Sequence, residues 1–266
     1  MRLCRYLDSN APRVGRLDGD VIVPCAVDDI DAVIRGADLT ADGAPVSLGD
    51  VRLLAPVRPG KLLGVAMNYA DHAAELNHAA PEEPSVFSKL VTSITGPSGP
   101  VVRPAYTQAL DYEGELAVVI GRRLRDASPR QALEGVFGYT IINDVSARDV
   151  QLTEPQWTRA KGGDTFAPMG PWIVTADEIA DPQDLRVRTW VNGELRQDSH
   201  TSQMITPVAE LVSWCSRSFT LEPGDVIAMG TPAGVGSGFD PPRYLEPGDR
   251  VRIEIDKIGS ISHEIT

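Results

Sequence analysis

The chain has 266 residues, enough to bury a full enzyme core as one large domain or as one with a small companion. Its hydrophobic share of 42% and charged share of 23% are ordinary for a globular protein, and a net charge of −12 argues against nucleic acid or anionic membrane as a partner. An anionic small molecule stays open, because a metal and a few local cations reverse the potential inside a cleft whatever the global charge. Cys4, Cys25 and Cys215 are isolated, with no Cys-x-x-Cys spacing, which argues against a disulfide framework and a thiolate metal site. Met1 to Asp8 lacks the apolar stretch of a signal peptide and nothing later approaches membrane-spanning length, so a cytoplasmic protein is expected.

In chain order, residues 1–57 read as a small N-terminal α/β domain. It holds a hairpin from Arg13 to Val23 turning at Asp18-Gly19, then a short helical pattern from Asp28 to Arg35. Pro56 to Gly60 marks a boundary, and residues 60–266 form the second, larger domain. There Leu62 to Val65 predicts a strand, Tyr69 to Leu76 a short helix, and Asn77 to Pro84 a mobile loop. Residues 111–120 and Phe137 to Ile142 read as strands. Asn192-Gly193 suits a type I′ turn within a hairpin from Thr189 to Arg196. One amphipathic helix, Pro207 to Cys215, precedes a strand from Asp225 to Met229 and a final pair, Arg250 to Ile255 and Ser260 to Ile265. Many short strands with few helices indicate a β-rich α+β fold, a sandwich or roll.

Three carboxylates stand out: Glu113 and Glu115 in Asp111-Tyr112-Glu113-Gly114-Glu115-Leu116, and Asp144 in Ile142-Asn143-Asp144-Val145. Residues two apart on a strand point to one face, so Glu113 and Glu115 project together, while a second strand delivers Asp144. Three anions beside buried β-structure repel unless a divalent cation neutralises them, and hard oxygen ligands favour Mg2+, with Mn2+ or Ca2+ as alternatives, over zinc. The same Glu-x-Glu alternation also suits a strand showing its polar face to water. His72 and Glu75, three apart on the predicted helix, share a face, and a carboxylate that orients an imidazole prepares a general base; a solvated helix pair has the same spacing. Gly230-Thr231-Pro232-Ala233-Gly234-Val235-Gly236 lacks the Gly-Lys-Ser/Thr ending of a nucleotide loop. It reads as a tight turn, or as a turn whose amides and Thr231 hydroxyl approach a small carboxylate.

These segments, with Gly64 to His72, Gly138 to Asp149 and Phe166 to Pro171, occur in an order that resembles the fumarylacetoacetate hydrolase family from about residue 60 to the C-terminus. The resemblance implies the family's mixed β-roll, a homodimer, and an oxygen-ligand Mg2+ or Mn2+ site at Glu113, Glu115 and Asp144. It implies a catalytic dyad of His72 and Glu75, a lysine beside the metal at Lys161, and a substrate loop at Gly230 and Thr231. Arg148 and Gln151 match its motif as substrate-binding residues, with Arg148 alternatively bracing the carboxylates. Asp164 is a further acidic candidate. Gly163 stands where many family members carry a bulky residue, which bears on specificity.

The activity implied is metal-dependent hydrolysis of a carbon–carbon bond in an acylpyruvate-like β-diketo acid of the fumarylacetoacetate or fumarylpyruvate type. Oxaloacetate decarboxylation and isomerisation of 2-hydroxyhepta-2,4-diene-1,7-dioate need the same constellation. A non-catalytic metal-binding module would be expected to lack the dyad or the lysine.

Overall fold

The computed structural model describes residues 1–266. Its frame is a mixed sheet of twelve strands. Ten of these follow one path: Val46–Ser47, Val21–Pro24, Ala11–Asp18, Arg2–Asp8, Ala167–Thr175, Val136–Asn143, Gly114–Ile120, Val226–Ala228, Leu62–Ala66 and Ser85–Lys89. A second sheet of four strands, in the order Glu194–His200, Arg186–Val191, Arg250–Ile255 and Gly259–Glu264, packs against it. The fold is β-rich, as the density of short apolar runs leads one to expect.

The run from Leu116 to Ile120 is apolar throughout because both faces of its strand are covered. Leu116, Val118 and Ile120 join a core with Val187, Ile253 and Leu211 from the second sheet and the helix Val208–Ser218. Ala117 and Val119 face the other way, into a core with Leu3, Ile30, Val33 and Ile173. The N-terminal segment supplies much of that second core, and its first strand enters the large sheet by pairing Leu3 with Ile173. The hairpin turn at Asn192-Gly193 has positive φ at both residues, 53° and 82°, as a type I′ turn requires.

Two elements depart from expectation. Residues 111–120 are not one strand: Leu110–Asp111 pairs with Ser146–Ala147 in a separate ladder, and the next strand starts at Gly114. The break arises because the Glu113 amide donates to the Asn143 side chain at 2.9 Å instead of to a neighbouring strand. The strand Ala167–Thr175 lies inside the large sheet although it contains Pro168 and Pro171, which obscure it in the sequence. Residues 77–84 form no helix or strand and are mostly exposed. No helix is long and apolar enough to cross a membrane.

Candidate active site

The strand break places Glu113 beside Asp144, whose amide donates to the Glu113 carbonyl at 2.9 Å. Glu115 follows on the central strand Gly114–Ile120. Ligand oxygens of Glu113, Glu115 and Asp144 lie within 4.8 Å of one another, and all three residues are buried. The simple alternation expected of one strand is therefore not what unites them; a broken backbone and a side-chain acceptor do that.

Cations balance this cluster unevenly. Lys161 closes the short helix Thr158–Lys161, and its Nζ donates to Glu113 Oε2 at 2.8 Å and Asp144 Oδ2 at 3.0 Å. Arg148 donates through Nε to Asp111 Oδ2 at 2.8 Å and through Nη1 to Gln151 Oε1 at 2.9 Å. Its Nη2 stands 2.7 Å from Glu113 Oε1 as an ion pair without hydrogen-bond alignment. Lys89, which the sequence did not single out, donates to Asp144 Oδ1 and to the Lys161 carbonyl. Glu115 has no ion pair and accepts only the Gly230 amide, at 2.8 Å.

The protonation equilibria follow. Burial disfavours ionised Glu113, but Lys161 and Arg148 together outweigh it and hold its pKa below the carboxylate range. Burial, then Asp144 and Glu113, push Glu115 well above that range. Burial lowers the Lys89 pKa in spite of Asp144. For Lys161 burial works the same way, but Asp144 and Glu113 prevail and raise its pKa. One carboxylate without a counter-charge, in an all-oxygen cluster, fits a divalent cation held by Glu113, Glu115 and Asp144.

His72 lies on the helix Ala70–Glu75, with Nδ1 at 3.0 Å from Glu75 Oε2. Glu75 Oε1 accepts the Gly234 amide at 2.8 Å, so the glycine loop fixes the carboxylate that orients the imidazole. In that loop the Gly230 amide is committed to Glu115. Thr231 donates to the Gly114 carbonyl at 3.2 Å and accepts from Gln197 at 2.7 Å. A cavity of about 370 Å3 gathers His72, Glu113, Arg148, Gln151, Lys161 and Thr231, with Leu76, Phe87 and Trp157 as an apolar wall. Gly230, Glu75, Glu115 and Asp144 are not part of this lining. Asp164 is exposed and outside the acidic cluster. A Cβ on Gly163 would meet the Phe166 ring at 3.2 Å, so a larger residue there requires that ring to move.

Beyond Lys89, sequence reasoning passed over two supports. Asp111, at zero exposure, accepts from the Tyr112, Gly236 and Ser237 amides as well as Arg148, binding the glycine loop to the carboxylate segment. Asn143, whose Oδ1 holds the Glu113 amide, contacts His263 Nε2 through Nδ2 at 2.8 Å. That geometry makes Nδ2 the donor and puts the ring hydrogen on Nδ1, which has no partner. Asp111 lay within a quoted motif; His263 carried no local signal.

The model of the fumarylacetoacetate hydrolase C-terminal family matches residues 61–266, and that of an Rv2993c-like N-terminal family matches residues 1–56. The chain belongs to the fumarylacetoacetate hydrolase family. It is 41% identical, over its whole length and 90% of the relative, to a mitochondrial oxaloacetate tautomerase from Xenopus laevis. A solved fumarylacetoacetate hydrolase from Exiguobacterium antarcticum superposes with a TM-score of 0.92 at 44% identity, covering 100% of this chain and 99% of that one. A 5-carboxymethyl-2-hydroxymuconate delta-isomerase from Mycobacterium smegmatis does so with a TM-score of 0.87 at 42% identity and the same coverage.

Proposed function

We propose that this protein is a divalent-metal-dependent enzyme that moves a proton on a 2-oxo acid, interconverting its keto and enol forms or shifting a conjugated double bond. The observation that carries the reading is the shared cavity: an oriented imidazole, His72, faces the same space as Glu113 of the acidic cluster and Lys161. The tautomerase and isomerase among the relatives support it.

A cation held by Glu113, Glu115 and Asp144 supplies Lewis-acid polarisation of a 2-oxo acid's carbonyl. Lys161 stands beside Glu113 and offsets negative charge that develops on the substrate oxygen. His72, with Nδ1 engaged by Glu75, uses Nε2 to take a proton from the substrate carbon and return it to the other position. Gln151 lines the cavity as a substrate-binding group, Thr231 lines it with its hydroxyl proton already given to the Gly114 carbonyl, and Leu76, Phe87 and Trp157 restrict water. Arg148 is spent on Asp111, Glu113 and Gln151, so it acts as a brace.

A second reading keeps these residues and has His72 activate water to cleave an acylpyruvate-like β-diketo acid. The cavity of about 370 Å3 leaves room for a water beside a small acid, as this reading requires. The solved hydrolase relative supports it too. The test is to supply oxaloacetate enol and acylpyruvates to protein treated with EDTA and then restored with Mg2+ or Mn2+. Metal-restored acceleration of enol decay, with acylpyruvates intact, supports the first reading. Acylpyruvate cleavage that places one 18O from labelled water in the released acid, without enol decay, replaces it with the second. Full turnover after chelation ends the metal reading. The homodimer that the family carries is tested separately, by the sedimentation mass of the purified protein.

A further inference from the structure

Lys89 ends the strand Ser85–Lys89, and its side chain has no solvent exposure. Nζ donates to Asp144 Oδ1, to the Lys161 carbonyl and, at 3.4 Å, to the Val145 carbonyl. All three ammonium protons are therefore engaged. Lys161 lines the cavity and meets the other oxygen of the same carboxylate, Oδ2. Lys89 does not line it. The two lysines divide Asp144 between them, one from inside the protein and one from the cavity side. A fully buried ammonium costs several kcal/mol of desolvation, where methionine would fill much of the same volume at no such cost.

We propose that Lys89 is a positioning residue for the divalent cation, acting through Asp144. This rests on the reading of Glu113, Glu115 and Asp144 as the cation's ligands. Lys89 holds Oδ1 and Lys161 holds Oδ2, which fixes the plane of the carboxylate while each oxygen keeps a lone pair for a cation. The Gly230 amide orients Glu115 through Oε2 in the same way.

The sign of the effect separates this role from a bare charge. A positive charge near the cation weakens binding, so if charge were all that Lys89 contributed, its removal would tighten the site. A lost support around a ligand weakens it, by about 10–100-fold in metal affinity.

The experiment is a Mn2+ titration of chelator-stripped protein, reading free Mn2+ by electron paramagnetic resonance. The proteins compared are wild type, K89M, K89Q, D144N and the K89M/D144N double variant, each checked for folding by circular dichroism. K89M is expected to bind Mn2+ at least about 10-fold more weakly. The double variant is expected to be no weaker than D144N alone, because the effect of Lys89 passes through Asp144. K89Q keeps N–H donors without the charge; it is expected to bind better than K89M, and it replaces K89M in the comparison should that variant not fold. Unchanged or tighter Mn2+ binding without the lysine, or losses that add in the double variant, overturn the proposal. Wild-type protein that takes up no Mn2+ overturns the metal reading itself, which distinguishes the two failures.

Discussion

His72 and Glu75 form a pair whose geometry is set from outside their helix: Nδ1 and Oε2 are 3.0 Å apart, and the second Glu75 oxygen is held by the Gly234 amide at 2.8 Å. The dyad is thus a local sequence motif made rigid by a loop 159 residues away. Replacing His72 with alanine should lower kcat by about 10²–10⁴-fold, the usual range for a lost acid–base group, while Mn2+ affinity stays near wild type. Wild-type kcat in the variant would leave the histidine only a structural role.

Gly234 has φ +99°, and a Cβ there would lie 1.9 Å from the Arg196 carbonyl oxygen. Gly234→Ala should therefore displace the loop and release Glu75. The expected result is a fall in kcat larger than any rise in KM, accompanied by loss of stability. Steady-state kinetics beside a thermal melt decide it; an unchanged kcat in a folded variant would show that the Gly234 contact does not orient the dyad.

Glu115 is a buried carboxylate with no ion pair, and its pKa is raised by burial and by Asp144 and Glu113. Glu115→Gln should make the metal-free protein more stable by about 1 kcal/mol, or roughly 2–4 °C in the melting midpoint. The same change should abolish most of the rise in midpoint that Mn2+ produces. Differential scanning calorimetry with and without Mn2+ measures both, and a variant still stabilised by Mn2+ as strongly as wild type would remove Glu115 from the ligand set.

His263 is fully buried, and burial brings its pKa down to about 3. Between the unfolded value near 6.5 and that depressed value, the unfolded chain binds a proton that the native ring refuses. Stability supplied by the neutral ring is complete above about pH 6.5 and is lost as pH falls toward the folded pKa, at up to about 1.4 kcal/mol per unit. Urea midpoints measured from pH 7 to 4 should show this slope in wild type and lack much of it in His263→Gln. An equal slope in both proteins would assign the acid lability to other groups.

The strand pattern, the Asn192-Gly193 turn, the helix bearing His72 and Glu75 and the family itself were legible in the sequence. Each rests on short-range periodicity or on runs of consecutive residues. The reaction was not, since one oriented base beside one acidic cluster serves proton transfer, hydrolysis and decarboxylation alike. Nor was the strand break at Glu113, because the acceptor that replaces a sheet partner is the side chain of Asn143, thirty residues on. Lys89 sits in an ordinary strand, Ser-Val-Phe-Ser-Lys, where an isolated lysine reads as solvated. Only packing reveals it at zero exposure on Asp144, and only packing brings His263 to Asn143 across 120 residues. Local sequence determines how the backbone alternates and where it turns; which buried charge meets which is decided when distant strands come together, because pairing and desolvation depend on every neighbour at once.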